Sequence, residues 1–448
     1  MKYLRILSAL LLAAAPLAAQ EPPRRLALED ALRIAEESNP GYRSAQADVR
    51  VAEARQRQSF GAFLPEVSTS FSLGGRSDRT WVGRDPFGKP LPSEQATDQV
   101  TSNASQGVDV SIPLFERGRM GEVRASRADA VSAVAQVAVE RGRVLAEVTR
   151  RYHAAVRAER VIQLEERLLA SARERLDATQ RLFRIAAQGM TEVLGAEVEV
   201  ARQEQAVEQA RGEARKAKLA LGESMGVIEA ADARLTSEPF PVFDPTGLRA
   251  DSVVALALRV QPRLAGAASA VRAAEHRVGV SRGQRWPTLS ARAGLNRSIY
   301  GQDSEAISIF DPTAHADRGL SLGFTVSLPV FDQHRNSTSV AQAEATRTRA
   351  EETLRSARLA VEREVRSALI DLENAFRGSR LAERAAKLSQ DRLELAREQY
   401  RVNAIRFIDL QSVVDRAAQA ERDALGARFQ FAEALASLDE RVGAPVRP

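Results

Sequence analysis

The sequence contains no cysteine, and its four histidines (His153, His276, His315 and His334) are scattered along the chain. A disulfide scaffold, a thiolate zinc site and an iron–sulfur cluster are therefore excluded, and no metal cluster is expected. The absence of cysteine also excludes a lipid-anchored lipoprotein. Aromatic residues make up only 5% of the chain, whereas charged residues make up 27%. That balance suits long solvated helices better than a compact enzyme. The motifs of common catalytic chemistry are missing too: there is no GxSxG elbow, Walker loop, GxGxxG turn or HExxH helix. Neither enzymatic activity nor a cofactor is expected. Beyond the N-terminus no run approaches the ~20 apolar residues of a spanning helix. If the mature chain crosses a membrane, it must do so as a β-barrel.

A large excess of one charge sign is absent as well. Lys and Arg number 64 against 59 Asp and Glu, a formal net charge of +5. The acids are interspersed with the bases, so the basic isoelectric point of about 9.8 is no nucleic-acid footprint. The N-terminus, MKYLRILSALLLAAAPLAAQ, has a positive start, an apolar stretch and then small residues. It reads as a Sec signal peptide over residues 1–19, cleaved near Ala19, the alternative being a short membrane anchor. Export by itself argues against a nucleic-acid binder.

The chain that follows is duplicated. Asn39-Pro40 and Leu64-Pro65 are the same distance apart as Gln261-Pro262 and Trp286-Pro287. Next come Ser111–Phe115 (SIPLF) against Ser327–Phe331 (SLPVF), then Phe183–Val193 against Tyr400–Leu410. Four markers in one order define two copies. The first is expected over residues 26–238 and the second over 248–443, joined by a Pro-containing linker at 239–247. Each copy carries a long heptad seam, at Val144, Val148, Ala155, Ala158, Ile162, Leu169, Ala172, Leu176 and Phe183 in the first. Val361, Val365, Leu372, Ala375, Ala386, Leu393 and Tyr400 hold the same register in the second. Return segments repeat the pattern from Val193 to Leu221 and from Leu410 to Leu438. Such spacing predicts long helical hairpins over 118–224 and 334–440 with coiled-coil packing. Arg151 and Glu165 interrupt the first seam. The adjacent acids Glu165-Glu166 and Glu351-Glu352 point to different helix faces and are expected to be solvated. His153 is expected to be a packed or surface histidine.

Between the helices, alternation of period two marks strands. It runs through Val67, Thr69, Phe71 and Leu73, then Val108, Val110 and Ile112. The second copy has Leu289, Ala291, Ala293 and Leu295, then Leu322, Phe324, Val326 and Leu328. Strands are expected over 64–75, 106–115, 287–297 and 319–331, with long polar connectors at Gly74–Gln106 and Asn296–Gly319. Four short strands cannot enclose a pore alone; small soluble hairpins are the alternative.

A signal peptide, two copies of helix, hairpin, long helix and return helix, and strands ending in PLF or PVF resemble the outer-membrane efflux protein family, the TolC-like exit ducts. The resemblance covers essentially the whole mature chain. It implies a mainly α fold with a small membrane β part: a homotrimer whose 12-stranded β-barrel, four strands per protomer, continues as a long α-helical barrel. It implies a bacterial outer-membrane location reaching into the periplasm, contact with outer-membrane lipid, and passage of substrates outward. The implied partners are a periplasmic adaptor (membrane fusion) protein and an inner-membrane pump, in tripartite efflux or type I secretion. A structural or adhesive envelope coiled coil is the alternative reading. By the resemblance, the turns between long and return helices are adaptor-docking tips, at Ala186, Gln188, Gly189 and Met190 and at Asn403, Ala404, Ile405 and Phe407. It also implies a pore gate at Asp409, with Glu192 its equivalent in the first copy, Tyr400 as a gate-region tyrosine, and Arg406 as the local cation. The family's usual gate arginine aligns with Ile405, and its second acid with Ser412. Glu192 and Asp409 also suit plain helix N-termini, where acids gain about 0.3–1 kcal/mol.

Overall fold

The computed structural model describes residues 25–84, 87, 89–185, 189–229, 233–236, 242–302, 316–402 and 404–446. The expected signal peptide, residues 239–241 of the linker, and the tip residues Ala186, Gln188 and Asn403 lie outside the described residues. The chain is mainly helical with one small four-stranded sheet, and its elements repeat. In order they are β1 (Arg25–Leu26), α1 (Leu28–Ser38), α2 (Pro40–Gly61), β2 (Glu66–Arg84), β3 (Pro90–Phe115), α3 (Arg119–Arg184), α4 (Met190–Met225), β4 (Arg234–Leu235), α5 (Ala250–Val260), α6 (Pro262–Gly283), β5 (Thr288–Gln302), β6 (Ala316–Ser327), α7 (Arg335–Arg401) and α8 (Phe407–Val442). They fall into two compact units.

One unit holds Ala45–Ala138 and Pro262–Leu359. Its antiparallel sheet has the order β2-β3-β5-β6. The register joins the four sequence alternations on one face. Val67 pairs with Val110, Val110 with Ala293, and Ala293 with Leu322. One step on, Thr69, Val108, Leu295 and Leu320 form the next row. The rows between them carry Ser68, Asp109, Gly294 and Ser321, so the opposite face is small and polar.

The strands of the first copy run well past the expected 64–75 and 106–115. The Gly74–Gln106 connector is itself largely ladder: Gly74 pairs with Asn103 and Thr80 with Thr97. The backbone pairing continues there although the period-two pattern of the sequence has faded. Likewise Asn296–Gln302 and Ala316–Gly319 belong to β5 and β6. At its far end β6 stops at Ser327 rather than 331, two residues short of Pro329, which cannot donate to a ladder.

At the base of the sheet Arg119 ties three segments together. Its guanidinium donates to Ala62 O at 2.6 Å and to Pro113 O at 3.3 Å, and pairs with Glu116 at 2.8 Å. Arg117 lies 3.9 Å over the Trp286 ring, a cation–π contact. Helices α3 and α6 approach closely because glycines leave room. A Cβ on Gly121 would sit 2.9 Å from Val280 Cγ2, and one on Gly283 2.8 Å from the Gly118 nitrogen.

The other unit holds the remaining described residues, including 139–261 and 360–446. Its core gathers Leu26, Val144, Val148, Tyr152, Ala155, Leu221, Met225 and Phe429. The short strands β1 and β4 pair in parallel, and the Tyr152 hydroxyl bridges them, 3.0 Å from Leu26 O and 2.6 Å from Thr236 O. His153 packs near Phe429, with ring centroids 6.4 Å apart, and burial holds its imidazole below the usual histidine range. The duplication is visible in hydrogen bonds. Asn39 caps α2, accepting from Tyr42 N at 3.1 Å, while its amide donates to Ser224 O at 2.8 Å. Gln261, before α6, donates to Arg441 O at 2.8 Å, the repeat equivalent of Ser224. Gly226 and Gly443, both with φ of +81°, close α4 and α8 in the left-handed conformation that glycine reaches without steric cost. Most expected seam positions are buried, among them Val148, Ala155, Ala172, Val361, Val365 and Leu372.

Candidate pore gate and helical tips

The first tip joins α3 to α4. Gly189 precedes α4 in extended conformation, and Glu192 sits in the first helical turn. The Glu192 carboxylate folds back over Gly189: a Cβ there would meet its Oε2 at 2.9 Å. Glu192 thus occupies the helix start, where the macrodipole favours an anion. Met190 is 52% exposed and Val193 is buried, so the start of α4 presents an apolar side chain above a packed seam.

The second tip joins α7 to α8. The Ala404 nitrogen donates to Gln399 O at 2.8 Å, which closes the turn, and Arg406 precedes α8. Arg406 Nε donates to Asp409 Oδ2 at 3.1 Å, and Ser412 Oγ donates to the Asp409 carbonyl at 2.8 Å. Tyr400 and Phe407 meet nearly edge to face, 6.3 Å between centroids. Phe407 reaches α4, its Cε1 3.6 Å from the position a Cβ of Gly195 would take. Ile405 and Tyr400 pack on a core of Leu393, Ala396, Leu410, Val413, Val414 and Ala417. Of the sequence-derived gate residues, one protomer brings Arg406 to Asp409 and Tyr400 to Phe407; it leaves Glu192 over its own tip.

Two polar layers behind the tips escaped the sequence reading. In the first, Glu165 is buried, its side chain 5% exposed. Arg422 grips both its oxygens, at 2.6 and 2.8 Å, and Gln203 donates at 2.5 Å. Burial alone would raise the Glu165 carboxyl, but the Arg422 guanidinium and the Gln203 amide hold it below the usual range. Its neighbour Glu166 is a solvated acid as expected, pairing with Arg211 at 2.8 Å with both side chains about half exposed, and the side chains of Glu351 and Glu352 are likewise 42% and 65% exposed. The interrupted seam at Glu165 was the available signal, since a charge at a core heptad position needs a partner across the interface. In the second layer Arg175 and Arg397 both donate to Ser171 Oγ, at 3.2 and 3.4 Å. Gln411 donates to Asp415 at 3.1 Å. Burial and the nearby Asp415 charge push the Glu199 carboxyl up. Among the described residues, no group of three or more acids and histidines could hold a metal ion. Nor is any helix among them long and apolar enough to cross a membrane.

Duplicated long helical hairpins and a four-stranded sheet with one apolar face define an outer-membrane channel of efflux or secretion. Residues 31–227 and 253–444 match the outer membrane efflux protein family, and the chain belongs to it. The chain is 25% identical over 351 residues to Protein CyaE of Bordetella pertussis, spanning 78% of this chain and 70% of that one. Its fold is similar to the CmeC outer membrane channel of Campylobacter jejuni, with TM-score 0.73, 16% identity, and coverage of 93% and 85%. It is also similar to the MtrE outer membrane channel of Neisseria gonorrhoeae in its open state, with TM-score 0.69, 19% identity, and coverage of 94% and 89%.

Proposed function

We propose that three copies of this chain close a 12-stranded barrel in the outer membrane and form the exit duct of a tripartite efflux or type I secretion system. The observation that carries this reading is the sheet. Among the described residues nothing pairs with the outer edges of β2 and β6, and the sheet exposes Val67, Phe71, Leu73, Leu322, Phe324 and Val326 by 60% or more. Closure with further copies removes the edges, and lipid covers the apolar face. The tips at residues 186–190 and 403–407 dock a periplasmic adaptor, which couples the duct to an inner-membrane pump. Asp409 and Glu192 ring the periplasmic mouth, and Arg406 and Tyr400 steady them. The decisive experiment is fractionation with electrophysiology. Heat-modifiable trimers in outer-membrane fractions, with single-channel conductance, are the expected result. A soluble periplasmic monomer would leave only a structural coiled-coil role.

A further inference from the structure

Behind the tips, the side-chain oxygen Oε1 of Gln411 on α8 is buried and has no hydrogen-bond partner among the described residues. The nitrogen of the same amide is occupied. It donates to Asp415 Oδ1 at 3.1 Å, one turn along the helix, and hydrogen-bonds the Glu199 carboxylate of α4. A buried acceptor left unpaired costs its desolvation with nothing gained in return. The orphaned oxygen therefore lies on an amide that already faces a carboxylate, and a carboxylate has no hydrogen to give.

Charges from all four helices surround Glu199. Burial and then the Asp415 carboxylate push its carboxyl up. Gln411, Arg175 on α3 and Arg202 on α4 pull it down, and the balance is upward. Arg397 on α7 joins Arg175 at Ser171 Oγ, and Glu174 lies in the field of Arg175. In the other copy the positions equivalent to Glu199 and Gln411 hold Arg416 and Leu194. The duplication therefore does not repeat this pair.

We propose that Glu199 and Gln411 form a proton-operated clamp between the two helical hairpins. A carboxylic acid and a primary amide are complementary, since each offers one donor beside one acceptor. When Glu199 takes a proton from solvent, its O–H donates to Gln411 Oε1, and its other oxygen still accepts from the amide N–H. The second amide N–H stays with Asp415. Because the folded value of Glu199 lies above the ordinary 4.5, the clamp closes as pH falls through that folded value and is open at neutral pH. It joins α4 of the first hairpin to α8 of the second, and ~1.5 Å per residue puts Glu199 roughly 14 Å along α4 from Met190. Mild acid thus stiffens the hairpins next to their tips, whether or not the tips dock an adaptor.

Amide hydrogen exchange, read by mass spectrometry on the full-length protein and corrected for the intrinsic pH dependence of exchange, tests the clamp. Between neutral pH and pH 4.5, the segments around Glu199 and Gln411 should become about fivefold slower to exchange, the worth of one hydrogen bond. Glu199→Gln pairs with the Gln411 amide in the same reciprocal way at any pH, so it should be slow at both. Gln411→Met removes donor and acceptor together and should lose the acid response. Should that variant fail to fold, Gln411→Asn, one methylene too short to reach, serves with the same expectation. Wild type without acid slowing in these segments overturns the clamp. So does a Gln411 variant that slows as wild type does, because burial of Glu199 would then be the whole cause. Insertion and conductance do not enter this readout, so the channel reading stands or falls separately.

Discussion

Glu165 and Glu166 are neighbours in sequence with opposite fates. The heptad seam decides between them, since Glu165 falls on the face packed against α4 and α8 and Glu166 on the solvated one. Removing Arg422 would leave the Glu165 carboxylate buried without its cation. Arg422→Ala should cost about 3 kcal/mol, measured by thermal unfolding of the helical signal. Arg167 reaches Glu421 as well, but those side chains are 68% and 45% exposed. Arg167→Ala should therefore cost under about 1 kcal/mol. The two acids of the polar layers also respond to pH in opposite senses. Because the folded protein lowers the Glu165 carboxyl, its contribution is present above the ordinary glutamate value of 4.5 and is lost as pH falls through the lower folded value. Glu199 is raised, so its charged form opposes folding, and stability is regained as pH falls through its folded value. Glu199→Gln should accordingly stabilise the hairpins at neutral pH and flatten the mildly acidic limb of the pH profile. A loss of stability at neutral pH would show that the charge of Glu199 is needed where it stands.

At the scale of elements, the sheet tests the assignment of its faces. Phe324 sits in the apolar row with Ala291, and Thr325 in the polar row with Ser290. Phe324→Arg should impair assembly, because a charge facing lipid near the midplane costs about 2–4 kcal/mol. Thr325→Arg, on the other face, should be well tolerated. Equal yields of trimer from the two variants would refute the facing. The strands were legible wherever one face was apolar, from Val67 to Leu73 and from Leu289 to Leu295. They were illegible through Gly74–Arg84, where the sequence shows no regular apolar alternation although the backbone pairing of the ladder continues. The helical hairpins were legible where heptad spacing marks a seam, from Val144 to Phe183 and from Val361 to Tyr400, and in the return helices. The partners of buried charges were not: nothing in the local pattern of α3 says that the cation for Glu165 lies on α8. The Arg406–Asp409 pair was legible, since i and i+3 at a helix start are neighbours whatever the tertiary fold.

At the scale of the whole molecule, the proposed trimer would turn the tips and the proposed gate into rings. Three copies would present six tips, and the lack of native cysteine makes them simple to probe. Cysteine at Met190 or Ala404 should crosslink to a periplasmic adaptor in cells with active efflux; silence at both positions would refute docking there. The gate carries a sharper expectation. Each Asp409 is held by its own Arg406 at 3.1 Å, with side chains 49% and 82% exposed, so part of its charge is compensated within the protomer. Three aspartates and three copies of Glu192 around a narrow mouth should attract cations and repel anions. Asp409→Asn should therefore lower cation selectivity and weaken block by divalent cations. Arg406→Ala, which uncovers the same carboxylate, should shift both in the opposite direction. Reversal potentials in a potassium chloride gradient across planar bilayers read both changes. If the Glu192→Gln, Asp409→Asn double variant keeps the wild-type reversal potential, these acids only stabilise helix starts, and the charge that selects ions lies elsewhere along the duct.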